Sequence, residues 1–103
     1  MRRSILLFGL LLSFALPGLV IAQNEVPSCV TVRHEARWGA GAYNHIVIVQ
    51  NRCDRRVQCR VATNVSPQET RVTVPAGETT EVVTFLGSPA REFTPRVSCE
   101  QDR

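Results

Sequence analysis

Cys29-Val30-Thr31-Val32-Arg33-His34-Glu35-Ala36-Arg37-Trp38 alternates in character along its whole length. Val30, Val32, His34, Ala36 and Trp38 share one face, and Thr31, Arg33, Glu35 and Arg37 the other, the period-two pattern of a half-buried strand. Gly39-Ala40-Gly41-Ala42 reads as a turn, and Tyr43 to Asn51 follows, centred on Ile46-Val47-Ile48-Val49. That run is β-branched and apolar on both faces, which predicts a central strand. If the two segments form a hairpin, residues whose numbers add to about 81 face each other. His34 then lies opposite Val47, with His45 diagonal to it on the same face.

The pattern continues downstream. Val57 to Thr63 alternates after a turn at Cys53 to Arg56, and Thr70 to Val74 is a short strand. Pro75-Ala76-Gly77 is a tight turn, with Pro where φ is pre-set and Gly where it must open. Thr79 to Leu86 and Glu92 to Cys99 complete the set. No sustained helical period occurs after residue 22. Six or seven short strands with turns at regular intervals predict an all-β fold, a small antiparallel β-sandwich.

Upstream, Met1-Arg2-Arg3 is a short basic start, and Ile5 to Ile21 is almost continuously apolar. The run closes on Val20-Ile21-Ala22 before the polar Gln23-Asn24-Glu25, the pattern of a secretory signal peptide over residues 1–22. It is somewhat short for a spanning helix and carries Pro17, and no Cys stands at the cleavage point for lipid attachment. Residues 23–103 are thus expected as a single exported domain, secreted or periplasmic, with no membrane attachment after cleavage. All 12 basic residues of the chain are Arg. The absence of Lys excludes Schiff-base and phosphate-loop lysine chemistry and fits a high-GC bacterial source. Without Arg2 and Arg3, ten bases stand against 9 acids, a net charge of +1. So small a charge does not point to nucleic acid as a partner.

Cys29, Cys53, Cys59 and Cys99 all follow the leader. An even count in a small exported domain reads as two disulfides. The closest pair, Cys53 and Cys59, is too widely spaced for the usual C-x₂₋₄-C zinc pattern. In the hairpin register Cys29 falls opposite residue 52 or 53, while Cys59 is in phase with Val57 and Val61, and Cys99 with Phe93 and Val97. The expected pairs are Cys29–Cys53 and Cys59–Cys99.

Asn51-Arg52-Cys53, Val57-Gln58-Cys59-Arg60-Val61, Pro67, Val72-Thr73-Val74-Pro75-Ala76-Gly77-Glu78 and the late Phe93 with Val97-Ser98-Cys99 together are similar to small exported bacterial immunoglobulin-like sandwich proteins of undefined function. The likeness implies a fold and carries no activity with it. Trp38 departs from the antibody pattern, since it does not follow a first core Cys at the usual interval.

The inventory for catalysis is thin. His34 and His45 make a two-ligand start for a metal, but the only methionine is Met1 and the cysteines are committed to bridges, so no metal or other cofactor is expected. Ser28, Ser66, Ser88 and Ser98 fall in turns or at strand ends, and Asp54 and Asp102 are the only aspartates. No G-x-S-x-G, H-E-x-x-H or glycine-rich phosphate loop is present. Glu78 and Glu81 could pair, but strand-end solvation accounts for them. Asn64-Val65-Ser66 matches the glycosylation pattern and, before Pro67 in a bacterial chain, reads as a turn.

Two surface features remain. The turn Arg52-Cys53-Asp54-Arg55-Arg56, with Arg60 beyond it, gathers guanidinium groups suited to carboxylate or phosphate partners, and Arg52, Arg55, Arg56 and Arg60 are the expected partner-binding residues. At the other end of the strand between them, Trp38 and Tyr43 flank a small-residue loop. Trp38 is expected to cap one end of the core, and in the alternative it anchors a partner with Tyr43. The functional expectation is a non-enzymatic exported binding module whose partner is a protein or glycan of the bacterial envelope or the extracellular space. Its alternatives are an inhibitor of an exported hydrolase and, from another class, a small envelope hydrolase. Intact mass of the exported protein should give a chain starting at Gln23, and a product that retains Met1 and fractionates with membranes refutes the cleavage.

Overall fold

The computed structural model describes residues 24–103, so the expected signal peptide lies outside the described residues. Seven strands follow one another: β1 (Asn24–Glu25), β2 (Val30–Gly39), β3 (Ala42–Asn51), β4 (Val57–Thr63), β5 (Thr70–Val74), β6 (Thr79–Ser88) and β7 (Pro95–Gln101). They form a four-stranded sheet of order β1-β7-β4-β5 and a three-stranded sheet of order β2-β3-β6. All pairings are antiparallel except β1 with β7, which is parallel.

The first hairpin has the expected register, with His34 opposite Val47 and Trp38 opposite Tyr43. Its loop is Ala40-Gly41, with φ of 53° and 83°. Positive φ at both central residues is the type I′ geometry, whose twist matches the flanking strands. Central β3 buries Ile46 to Val49 on both faces, as its β-branched run predicts.

Between the sheets lies a core rich in valine: Val30, Val47, Val49, Val57, Val61, Val74, Val82 and Val97, closed by Phe93. Cys59–Cys99 joins directly opposed residues of β4 and β7, and Cys29–Cys53 closes the open end of the β2–β3 hairpin. There the Arg52 N–H donates to the Cys29 carbonyl and extends the ladder by one bond. Each bridge therefore lies within a sheet or at its end. Across the sandwich the polar link is Asn51 at the end of β3, which is fully buried. Its Nδ2 donates to the carbonyls of Val74 and Arg55, at 3.0 and 2.9 Å, and to that of Pro75, while its Oδ1 accepts from the Cys53 N–H at 2.8 Å.

Two elements differ from the sequence expectation. The last strand starts at Pro95, not at Glu92, because the backbone of Thr94 bonds both the side chain and the N–H of Asn64 in the β4–β5 loop. Phe93 is thereby turned across the end of the core. β6 runs on to Ser88, because Gly87 at φ 72° lets the strand bulge and Ser88 pair with Tyr43. The Asn64-Val65-Ser66 segment is a turn, with Thr63 Oγ1 accepting from the N–H groups of Val65 and Ser66.

Replacing Asn51 by Ala strips hydrogen bonds from four backbone groups, those of Val74 and Cys53 buried and those of Arg55 and Pro75 partly so, and should cost about 3 kcal/mol. Urea unfolding measures it; a loss below about 1 kcal/mol shows that Asn51 does not clamp the sheets.

Candidate functional site

The strands of the three-stranded sheet are ten residues long, and those of the facing sheet are seven or fewer. The exposed large hydrophobic residues of the described chain all lie on this longer sheet: Trp38 (65% exposed), Leu86 (70%), Val83 (52%) and Phe85 (38%). Register puts them toward one end, since Trp38 pairs with Tyr43, Tyr43 with Ser88, and Phe85 with His45. Trp38 thus does not cap the core. Its ring meets Tyr43 edge to face, centroids 4.9 Å apart, and is otherwise left to solvent.

Two register shifts in β6 aim the apolar side chains there. Thr84 is left out of the pairing and donates its hydroxyl to the His45 carbonyl, and Gly87 N–H donates to Asn44 Oδ1. The bulges break the alternation that would otherwise keep one face of β6 in the core. Val83, Thr84, Phe85 and Leu86 line a shallow, open depression along this edge strand. No charged residue interrupts Val82 to Ala90.

Beneath this end the two histidines take separate positions. His45 is fully buried; its ring stacks on Phe93 at 4.1 Å and its Nε2–H donates to the Ala90 carbonyl at 2.7 Å. Its Nδ1 is buried without a hydrogen-bond partner. His34 is exposed and meets the other side of this cluster edge-on, 5.0 Å from Phe93. Among the described residues, no hydroxyl or carboxylate hydrogen-bonds either imidazole, and no three His, Cys, Asp or Glu side chains are grouped to hold a metal.

The arginines of the β3–β4 turn are dispersed. Arg52 reaches Thr31 and Gln50 on the outer face of the three-stranded sheet. Arg56 pairs with Asp102 beyond β7, and Arg55 donates to the Asp102 carbonyl. That pairing holds the Asp102 carboxyl below its usual range and raises the Arg56 guanidinium. Arg60 points to the outer face of the four-stranded sheet, where its Nε lies 3.4 Å from Ser98 Oγ. Arg52 and Arg60 therefore sit on opposite outer faces of the sandwich.

The outer face of the three-stranded sheet has an ionic strap that the sequence did not announce. Arg37 on β2 reaches across β3 to Glu81 on β6 through two parallel bonds of 3.0 and 2.7 Å, and its Nε meets Glu35. Its reach covers the outward Ile46 and Ile48 of β3, each only 3% exposed. The aliphatic stem of a long charged side chain commonly performs such covering. Comparison with protein-family models, with curated proteins and with solved structures finds no match to the chain.

Arg37 lowers the Glu81 carboxyl chiefly by hydrogen bonding. The carboxylate form is favoured in the folded protein, so the strap's contribution is present above the ordinary Glu range and lost as pH falls through the lowered value. NMR titration should place the Glu81 midpoint below that of a free Glu side chain, and Arg37→Ala should return it. An unmoved midpoint in the variant would show that the bidentate pair does not persist in solution.

Proposed function

We propose that this protein is an exported, non-enzymatic binding module that docks a protein partner at the apolar end of its three-stranded sheet. The observation that carries the reading is the set of exposed large hydrophobics on one sheet: Val83, Phe85 and Leu86 line one depression on β6, and Trp38 stands across β3 toward the same end. Scattered single apolar residues on a surface are ordinary, whereas a clustered apolar surface marks an interaction site. Trp and Tyr serve as rigid anchors at such sites, because their large contact area orders few torsions. The uncharged edge of β6 adds unpaired backbone groups on which a partner strand can register.

The leader and the two disulfides support placement in an oxidising compartment, secreted or periplasmic. The non-enzymatic reading is supported by the histidines, whose aromatic and hydrogen-bonding partners are the rings of Phe93 and Phe85 and a backbone carbonyl. The charged turn is the weaker candidate because two of its four arginines are already engaged by the residue after β7. A glycan partner is disfavoured by the aliphatic share of the patch, Val83 and Leu86, which gives sugar hydroxyls nothing to bond.

Photo-crosslinking in envelope extract, compared across variants, tests the reading. Trp38→Ala and Leu86→Ser should each reduce recovery of a crosslinked protein at least tenfold while unfolding midpoints stay close to wild type. Arg55→Ala with Arg56→Ala should leave recovery unchanged. Loss in the arginine variant with retention in the other two moves the site to the charged turn and overturns the proposal. A recovered hydrolase that the purified domain inhibits would identify the partner class as a secreted enzyme.

A further inference from the structure

The outer face of the four-stranded sheet carries a row of side chains running through all its strands. Glu25 on β1 lies beside Ser98 on β7, Ser98 beside Arg60 on β4, and Arg60 beside Arg71 on β5. Arg60 and Arg71 are thus directly opposed residues of neighbouring strands on a solvent face. Like charges so placed destabilise a sheet. Neither takes part in an ion pair among the described residues, in contrast to Arg37 and Arg56. The acids nearest in register, Glu25 and Glu100, stand on the far side of a concavity of about 520 Å³ that all four charged residues line with Gln58 and Ser98. Arg96, opposite Ala62 in the register, flanks Arg60 on the other side, and the two line a smaller adjoining depression together with Glu25 and Glu69, neither of which forms an ion pair with Arg60 or Arg71.

From this arrangement we infer a second binding site, separate from the apolar end, in which Arg60 and Arg71 clamp an oxyanion. Two guanidinium groups on adjacent strands present paired N–H donors in planar forks, the geometry that carboxylate and phosphate accept bidentately. An anion between them converts a repulsive cross-strand pair into an attractive triplet. Glu25 and Glu100 across the concavity then select the rest of the ligand: a body that presents hydrogen-bond donors or an ammonium group, and not a second anion. The ligand class is a small molecule or chain end with one carboxylate or phosphate and a donor-rich remainder. Arg60 Nε lies 3.4 Å from Ser98 Oγ on the β7 side, which leaves its terminal N–H groups for such a ligand.

The site is tested on the exported protein by NMR titration with inorganic phosphate and, separately, with acetate, each against sodium chloride at equal ionic strength. Saturable shifts are expected at the Nε–H groups of Arg60 and Arg71 and at the Ser98 amide. Phosphate saturating more tightly than acetate assigns the clamp to phosphate esters, and the reverse to carboxylates. Arg71→Gln should weaken the response at least tenfold, as should Arg60→Gln, while Arg33→Gln on the opposite outer face leaves it unchanged. Shifts no larger than those of chloride with both anions, or a response that survives both Arg60→Gln and Arg71→Gln in folded protein, would overturn the inference.

Discussion

The two sheets of this protein are held to one another by packing and by one buried amide. Neither disulfide crosses the gap, since Cys29–Cys53 closes a hairpin and Cys59–Cys99 joins neighbouring strands. What remains is a valine-rich core closed by Phe93, together with Asn51. The amide side chain reaches from the last residue of β3 to the carbonyls at the end of β5, and its oxygen shapes the turn toward β4 by accepting from Cys53. It lies at the crossing from one sheet to the other, so it fixes the angle at which β4 leaves. Buried polar groups with satisfied partners tend to specify one arrangement where apolar packing alone would tolerate several. The apolar surface depends on that arrangement, because it lies where the longer sheet runs past the shorter one, whereas the Arg60–Arg71 face is set by register within its own sheet.

Much of the fold was legible because the sequence obeys period two where it matters. Val30 to Trp38 and the Ala40-Gly41 turn together set the hairpin register, and the register in turn placed Cys29 near Cys53. Ile46 to Val49 could only be a strand covered on both sides. Phase also placed Cys59 and Cys99 toward the core, where they face each other.

The rest was hidden for physical reasons. β1 has two residues, too few for any period, and is defined by its bonds to β7, including that of Asn24 Oδ1 with the Val97 N–H. The apolar patch was invisible because Val83, Phe85 and Leu86 look like core residues of a strand; only the bulges in β6 and the shortness of the opposite sheet expose them. Trp38 was expected to cap the core for the same reason. The opposition of Arg60 and Arg71 requires the β4–β5 register, which a six-residue loop leaves open in the sequence. Of the charged turn, Arg52, Arg55, Arg56 and Arg60 are close in sequence, but Arg52 and Arg60 stand on opposite outer faces while Arg55 and Arg56 meet at Asp102, which only the fold brings beside them.

The place of β7 in its sheet has a consequence for how the molecule is assembled. A chain made from its N-terminus presents Cys29 and Cys53, consecutive cysteines of a local hairpin, long before its end appears. That bridge can close on a fragment. β7 is the last strand made, yet it lies between β1 and β4 and supplies Cys99. The four-stranded sheet therefore lacks one of its two middle strands until synthesis is nearly complete, and the partner of Cys59 follows only 40 residues later. During that interval the only cysteines already exposed to it are the two of the first bridge. A hairpin bridge that closed first would leave Cys59 no partner but Cys99, so the order of the cysteines along the chain favours the native pairing.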